Sequence, residues 1–285
     1  HPEIRYYREE ENSGVDRDYD KAVGYARGNY CWLMTDDDLL KKDAVSRVLP
    51  CIDDALDLIV VNAEVRNMDF SRVLETRRLN ITEDKEYGIE DRDAFLSQVG
   101  DSLSFIGGVI IRRDLWKERD RQSYYGTLFI HVGVIFQHPP LQRIRVIADP
   151  LIMIRYGNAL WTPCGFEIWM FKWPKLIWSF PDFSNQAKAA VCRREPWKRF
   201  RVLLLHRGLG GYTLKEYHRF FAGNVNPIYR IIFFSISIFP ATMANFFVSL
   251  YFVLVQRKFN QDLDSLLRSR HATWARRFLV RFLTG

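Results

Sequence analysis

Cysteine is scarce in this chain and scattered. Cys31, Cys51, Cys164 and Cys192 show no CxxC spacing and sit in apolar or mixed surroundings. Neither a zinc site nor a disulfide framework is therefore expected, and a reducing cytoplasm is the simpler setting. There is no secretory signal, no initiator methionine and no hydrophobic opening strand before His1-Pro2, so the chain reads as a fragment or a misplaced start. A glycine-rich loop bearing Lys or Arg is also missing, which weighs against a metal-dependent nucleotidyltransferase. No internal repeat or low-complexity tract is visible, which excludes a solenoid.

What is present is enough apolar material for a core: 48% of 285 residues, with 26% charged. The net charge of +7 hides an asymmetry. Residues 1–150 carry 21 Lys/Arg against 28 Asp/Glu, and residues 151–285 carry 20 against 6, so the halves are near −7 and +14. An acidic half suits a metal. A basic half suits something anionic, whether nucleic acid, a phospholipid surface or a lipid pyrophosphate.

Along the chain, residues 4–8 are strand-like and Asn12-Ser13-Gly14 is a turn. Asp16 can cap a helix whose apolar positions Tyr19, Ala22, Val23 and Ala26 follow helical spacing, ending at Gly28. The unbroken apolar run 30–34 predicts a strand buried on both faces that delivers Thr35-Asp36-Asp37-Asp38 at its carboxyl end, the edge where α/β sheets bind ligands. A helix from Asp43, a strand over 56–61, irregular structure over 66–90, a helix near 91–99 and a helix over 114–121 continue the alternation of a wound sheet. Residues 144–154 read as two short strands broken at Pro150. Beyond Tyr156 the composition changes, with five of the eight tryptophans between positions 161 and 197, which sets a domain boundary at 156/157.

Three consecutive carboxylates repel one another unless a cation or several donors compensate them. Hard oxygens at Asp36, Asp37 and Asp38 suit Mg²⁺ or Mn²⁺, with water and nucleotide phosphates completing the shell. The bland alternative is an acidic turn that caps the following helix.

The ordered set N12-S-G14, A26-R-G28-N-Y30 and W32-L-M-T-D36-D-D38-L-L resembles glycosyltransferase family 2. With S104-F-I-G-G-V-I-I-R-R-D-L-W116 and F129-I-H-V-G133, it is similar to the abequosyltransferase-like branch that builds bacterial surface polysaccharides. The resemblance is close over residues 1–155 and loose beyond. It implies an α/β fold, a GT-A-type Rossmann-like mixed sheet without its first strand-helix-strand unit, plus a mainly helical C-terminal region. It implies a nucleotide-sugar donor near Asn12, Gly14, Arg17 and Asp36, and a metal on Asp36, Asp37 and Asp38. The expected acceptor is a glycan or a polyprenyl-pyrophosphate-linked sugar, not nucleic acid. Gly107 and Gly108 fall on the acceptor side, with a strand bulge as the plainer reading. Where relatives carry a basic Asp, this chain has His131, a candidate base because neutral imidazole accepts a proton. Asp101 is the rival, and a satisfied core histidine is the alternative.

Residues 231–255 carry no charge, long enough to cross ~30 Å of hydrocarbon. Pro240 divides the run, and Ser235, Thr242, Asn245 and Ser249 suggest a polar stripe suited to two interfacial helices. The tryptophan cluster and the cationic end 274–283 fit a headgroup region, so the expected location is the inner face of a bacterial plasma membrane, against an anionic surface. A packed helical domain, or an inactive scaffold paralogue with a relic acid cluster, stays open.

Overall fold

A computed structural model describes residues 4–53, 55–157, 164–223, 225–256 and 261–273. The apolar runs become seven strands: β1 (Tyr30–Trp32), β2 (Leu39–Leu40), β3 (Leu58–Arg66), β4 (Val73–Glu75), β5 (Lys85–Gly88), β6 (Val109–Arg112) and β7 (Arg143–Arg155). Their order is β1-β6-β3-β7-β2, with β4 on β3 and β5 on β7. β3 and β7 pair in parallel, and every other described pairing is antiparallel. The sheet is therefore mixed and α/β. Being antiparallel to β6, both β1 and β3 point the same way, so β1, β3 and β7 end at one edge.

β3 occupies the centre because its first eight residues are buried on both faces. Leu58 and Val60 meet one layer of helices, and Ile59 and Val61 meet the other, as the two-residue period requires. The first layer holds α1 (Val15–Tyr25), α3 (Arg92–Val99), α4 (Arg113–Glu118) and α5 (Ile130–Phe136), while α2 (Ala44–Val48) covers the opposite face.

β7 corrects the expected break at Pro150. It is one 13-residue strand whose register against β3 jumps between Val61↔Ile147 and Ala63↔Ile152. Pro150 falls inside that jump, where no ladder hydrogen bond needs its missing N–H. Asn62 lies opposite. Buried, it donates to the Leu79 and Ala148 carbonyls at 3.0 and 2.8 Å and accepts from the Leu79 and Ala63 amides at 2.9 Å. Its amide replaces the ladder bonds that the bulge removes.

The composition shift at Tyr156 is not a packing boundary. α6 (Gly165–Glu167) runs through a wide π-type turn into α7 (Trp173–Ser179), followed by α8 (Asn185–Val191). Trp173, Ile177, Phe180, Ala187 and Val191 join the same core as Phe95, Trp116 and Phe136. A second core begins with Phe166 and Met170 and gathers Leu203, Tyr212, Phe221 and Phe233. It is built by α9 (Phe200–Leu209), α10 (Leu214–Phe220) and α11 (Pro227–Ile238), with α12 (Ala241–Tyr251) and α13 (Gln261–Arg268) beside them.

Three further expectations are corrected. Residues 4–8 form no strand, and Tyr7 instead stacks on Tyr25 at 4.0 Å. Residues 66–90 are less irregular than expected, since they supply β4 and β5. The described tryptophans of this cluster are engaged by the protein, Trp173 buried and the others half-buried: Trp169 and Trp173 pack on Phe129, Trp178 donates to the Cys192 carbonyl, and Trp197 packs on Phe233. They fill space between layers. Trp161 and the cationic end 274–283 lie outside the described residues.

Candidate active site

The carboxyl edge of the sheet carries the acid cluster. β1 is anchored on β6 by Trp32 Nε1 donating to the Gly107 carbonyl at 2.8 Å and by the Leu33 amide donating to Val109 at 2.9 Å. Beyond it the chain turns through Thr35–Asp38 and re-enters the sheet as β2, paired with Met153 and Ile152 of β7. Asp36 is exposed, while Asp37 and Asp38 are half-buried. Asp38 accepts from the Thr35 hydroxyl and, at 2.8 Å, from the Arg155 amide. Burial raises its pKa above the usual carboxylate value; Thr35 and Arg155 oppose that rise and Asp37 adds to it.

Tyr19 faces this cluster from α1. Burial, then the fields of Asp38, Asp37 and Asp36, push its ionisation above the ordinary tyrosine range, so the phenol remains a neutral donor. The sequence carried no sign of this, because Tyr19 occupies a plain apolar helix position. Nor did it reveal the charged floor beside the cluster. Glu64 at the end of β3 pairs with Lys41 at 3.2 Å and Arg66 at 2.5 Å; burial alone would raise its pKa, but these two partners hold it below the usual value. Arg155, paired with Arg66 across the strands, lays its guanidinium over the Phe70 ring at 4.7 Å. The signal available was only that these residues end strands.

The donor-side residues divide. Asn12 Oδ1 accepts from the Gly14 amide at 2.9 Å, and Gly14 has φ +86°, a conformation open to glycine, so α1 starts from a tight turn. Arg17 sits about 200° round the helix from Tyr19, since two residues turn 100° each. It lies over Tyr125 at 5.3 Å and lines a cavity of ≈ 420 Å³ with Asp20, Lys21, Gln122 and Tyr125. The structure does not bring Arg17 to the acid cluster.

Asp16 does not cap its own helix. Buried, it accepts from the amides of Gly126, Leu128 and Ile130 at 2.8, 2.9 and 3.0 Å, fixing the loop that starts α5. The residue after that anchor is His131, which is 2% exposed. Its Nε2 lies 2.7 Å from the Leu103 carbonyl, to which it donates, and Nδ1 has no described partner. Burial takes its pKa down to about 4 despite the Leu103 carbonyl, so the ring is neutral and enclosed. That is the arrangement of a core histidine rather than of a base open to a substrate hydroxyl. Asp101 is exposed at the start of the 102–104 turn, in electrostatic contact with Cys192.

Gly107 and Gly108 precede β6 at the acid-cluster edge, but both are buried. A Cβ on Gly107 would meet the Phe105 ring at 2.2 Å, and one on Gly108 the Val61 carbonyl at 2.8 Å. Internal packing accounts for both glycines.

Among the described residues, no three His, Cys, Asp or Glu side chains group as a ready metal centre. The donor set still fits a hard cation of the kind held by one or two carboxylates with phosphate and water, because Asp36 is open to solvent and Asp37 partly so, while Asp38 is tied to the chain.

The pattern of Glycosyl transferase family 2 matches residues 1–119. That match covers less than half of the chain. The chain is also similar to abequosyltransferase RfbV of Salmonella typhimurium strain LT2, with 28% identity over 165 residues, 54% of this chain and 50% of that protein. It thus spans about half the length of that curated relative, a representative of the branch expected from the sequence. The family 2 match stops within the sheet, since β7 and all helices from α5 onward lie beyond Arg119.

Proposed function

We propose that this chain transfers a sugar from a nucleotide-sugar donor to a glycan or polyprenyl-pyrophosphate-linked acceptor in bacterial surface-polysaccharide synthesis, working at the inner face of the plasma membrane. The observation that carries the reading is the Asp36–Asp38 cluster at the carboxyl edge of a family 2 sheet, with one carboxylate fixed and one open. Asp36 and Asp37 would hold Mg²⁺ or Mn²⁺, which when bound neutralises charge on the departing nucleoside diphosphate. Asp38, locked by Thr35 and the Arg155 amide, keeps the cluster's backbone in place. Tyr19 of α1 lies within the field of the three carboxylates, which together with burial keeps its phenol protonated. The Asn12–Gly14 turn starts α1, whose amino end would then meet donor phosphate. Of the two base candidates, solvent-facing Asp101 is the one an acceptor hydroxyl can reach, and His131 supports the loop beneath it through Leu103.

The test is radiolabelled sugar transfer by the full chain with and without Mg²⁺. Asp36→Ala is expected to abolish most transfer while the melting curve stays cooperative; undiminished transfer in EDTA would overturn the metal assignment.

A further inference from the structure

The α11–α12 pair has its polarity reversed. Ile228 and Ile231 are 68% and 69% exposed, and Phe234 and Ile238 continue their stripe along α11. Three of the pair's polar residues lie inside: Ser237, Asn245 and Ser249 are buried, and Asn245 Nδ2 donates to the Gly208 and Leu266 carbonyls at 3.2 and 2.9 Å. The stripe's exposed hydroxyl is bonded within its own helix, because Ser235 donates to the Ile231 carbonyl at 2.9 Å. At the start of α11, Asn226 accepts from the Ile228 amide and Pro227 has no N–H to satisfy. A surface this poor in free polar groups is unfavourable in water and is what hydrocarbon demands.

The bend between the helices is fastened from the protein side. Among the described residues no single helix is long and apolar enough to cross a membrane, and the two helices meet at 99°. The carbonyl freed at the break, that of Phe239, accepts from Arg207 Nε of α9 at 2.6 Å, and the same guanidinium reaches the Tyr212 carbonyl at 3.2 Å. α12 also lies close on α9, since a Cβ on Gly208 would come within 2.9 Å of the Asn245 backbone. Straightening the pair into a span would strip the Phe239 carbonyl of its donor and open that contact.

We infer that the α11 stripe lies flat in one leaflet of an anionic bilayer, with the chain entering and leaving on the same side. The inference rests on the membrane attachment proposed above but not on sugar transfer. Lipid is the occupant that the charge favours: residues 151–285 carry 20 Lys/Arg against 6 acids, and exposed Arg230 adjoins Ile231, where its head can meet phosphate while its stem stays with the stripe.

The experiment is flotation of the full chain with phosphatidylcholine vesicles with and without phosphatidylglycerol. The parent should float with the anionic vesicles and remain with them in high salt. Ile231→Asp with Phe234→Asp should lower partition at least about tenfold, with unchanged circular dichroism; Ile231→Ser with Phe234→Ser serves if the first pair fails to fold. Cysteines placed at Gly223 and Ser269 should both react with an impermeant thiol reagent from outside the vesicle. Equal flotation of parent and double variants would overturn the inference, as would protection of one cysteine only, or a stripe that proves to be covered by a second copy of the chain, seen as a dimer that the aspartates split. Loss of sugar transfer with flotation intact would leave it standing.

Discussion

Around the sheet, buried Asn62 takes four hydrogen bonds and buried Asp16 three, though His131 Nδ1 and Arg119 Nε have no described partner, and the apolar side chains of β3 are buried. In α11 and α12 the order is reversed, with isoleucines outside and Asn245 and Ser249 within, the Asn245 Oδ1 and Ser249 Oγ lacking described partners. On the inference drawn above, the sheet follows the rules of a protein in water, and the pair would follow those of a surface that leaves water.

The comparison breaks most severely if the regions are cut apart at the wrong place. A chain ending at Tyr156 loses Trp173, Ile177 and Phe180 from the shared core and should show no cooperative thermal transition; one ending at Cys192 keeps them and should melt cooperatively without binding vesicles. Next in size, Asp36→Ala should lower transfer by about 10²–10³-fold in a steady-state assay, the range for removing one group that stabilises developing charge. Asp16→Ala should cost about 3 kcal/mol in denaturant unfolding, since three amides lose a charged acceptor.

A smaller effect separates core from site. The pKa of His131 falls from 6.5 to about 4 on folding, so between those values the unfolded chain takes up a proton that the folded chain refuses, and stability is lost as pH falls through that window. His131→Gln keeps a donor for Leu103 and should flatten this acid limb in pH-dependent melting, with turnover close to the parent's. If turnover collapses instead, the base role returns to the ring. The smallest effect is expected from Asp38→Asn. Because burial raises the Asp38 pKa, its ionised form opposes folding above that pKa, so the substitution should raise the melting temperature slightly at neutral pH while lowering transfer.

The strands and helices that position the acid cluster were legible in part because apolar runs report burial: α3 falls where the pattern puts it, while β1 is shorter than the run 30–34 and half-buried at Tyr30 and Trp32, and β3 runs on to Arg66. Sequence distance concealed the rest. Asp16 looked like a local cap, yet its partners are more than 100 residues away; Asp38 is held by an amide 117 positions on; and the π-turned helix that completes the core followed a change in composition that resembled a domain edge. The uncharged run 231–255 was equally visible, but two positions of its polar stripe, Asn245 and Ser249, point inward, Asn245 onto the Gly208 and Leu266 carbonyls, while Ser235 stays exposed.

The bulge at Asn62 also acts as a ruler. Downstream of it, β7 is aligned so that Arg155 presents its amide to Asp38, and Met153 and Ile152 meet β2. Connections between elements usually tolerate a residue gained or lost, but one removed from 148–151 would move every later position by one and exchange the two faces of the strand. The amide of Tyr156, now given to the Arg66 carbonyl, would then replace that of Arg155. A four-residue stretch far from the carboxylates in sequence is therefore a place where length, more than residue identity, is fixed by the site.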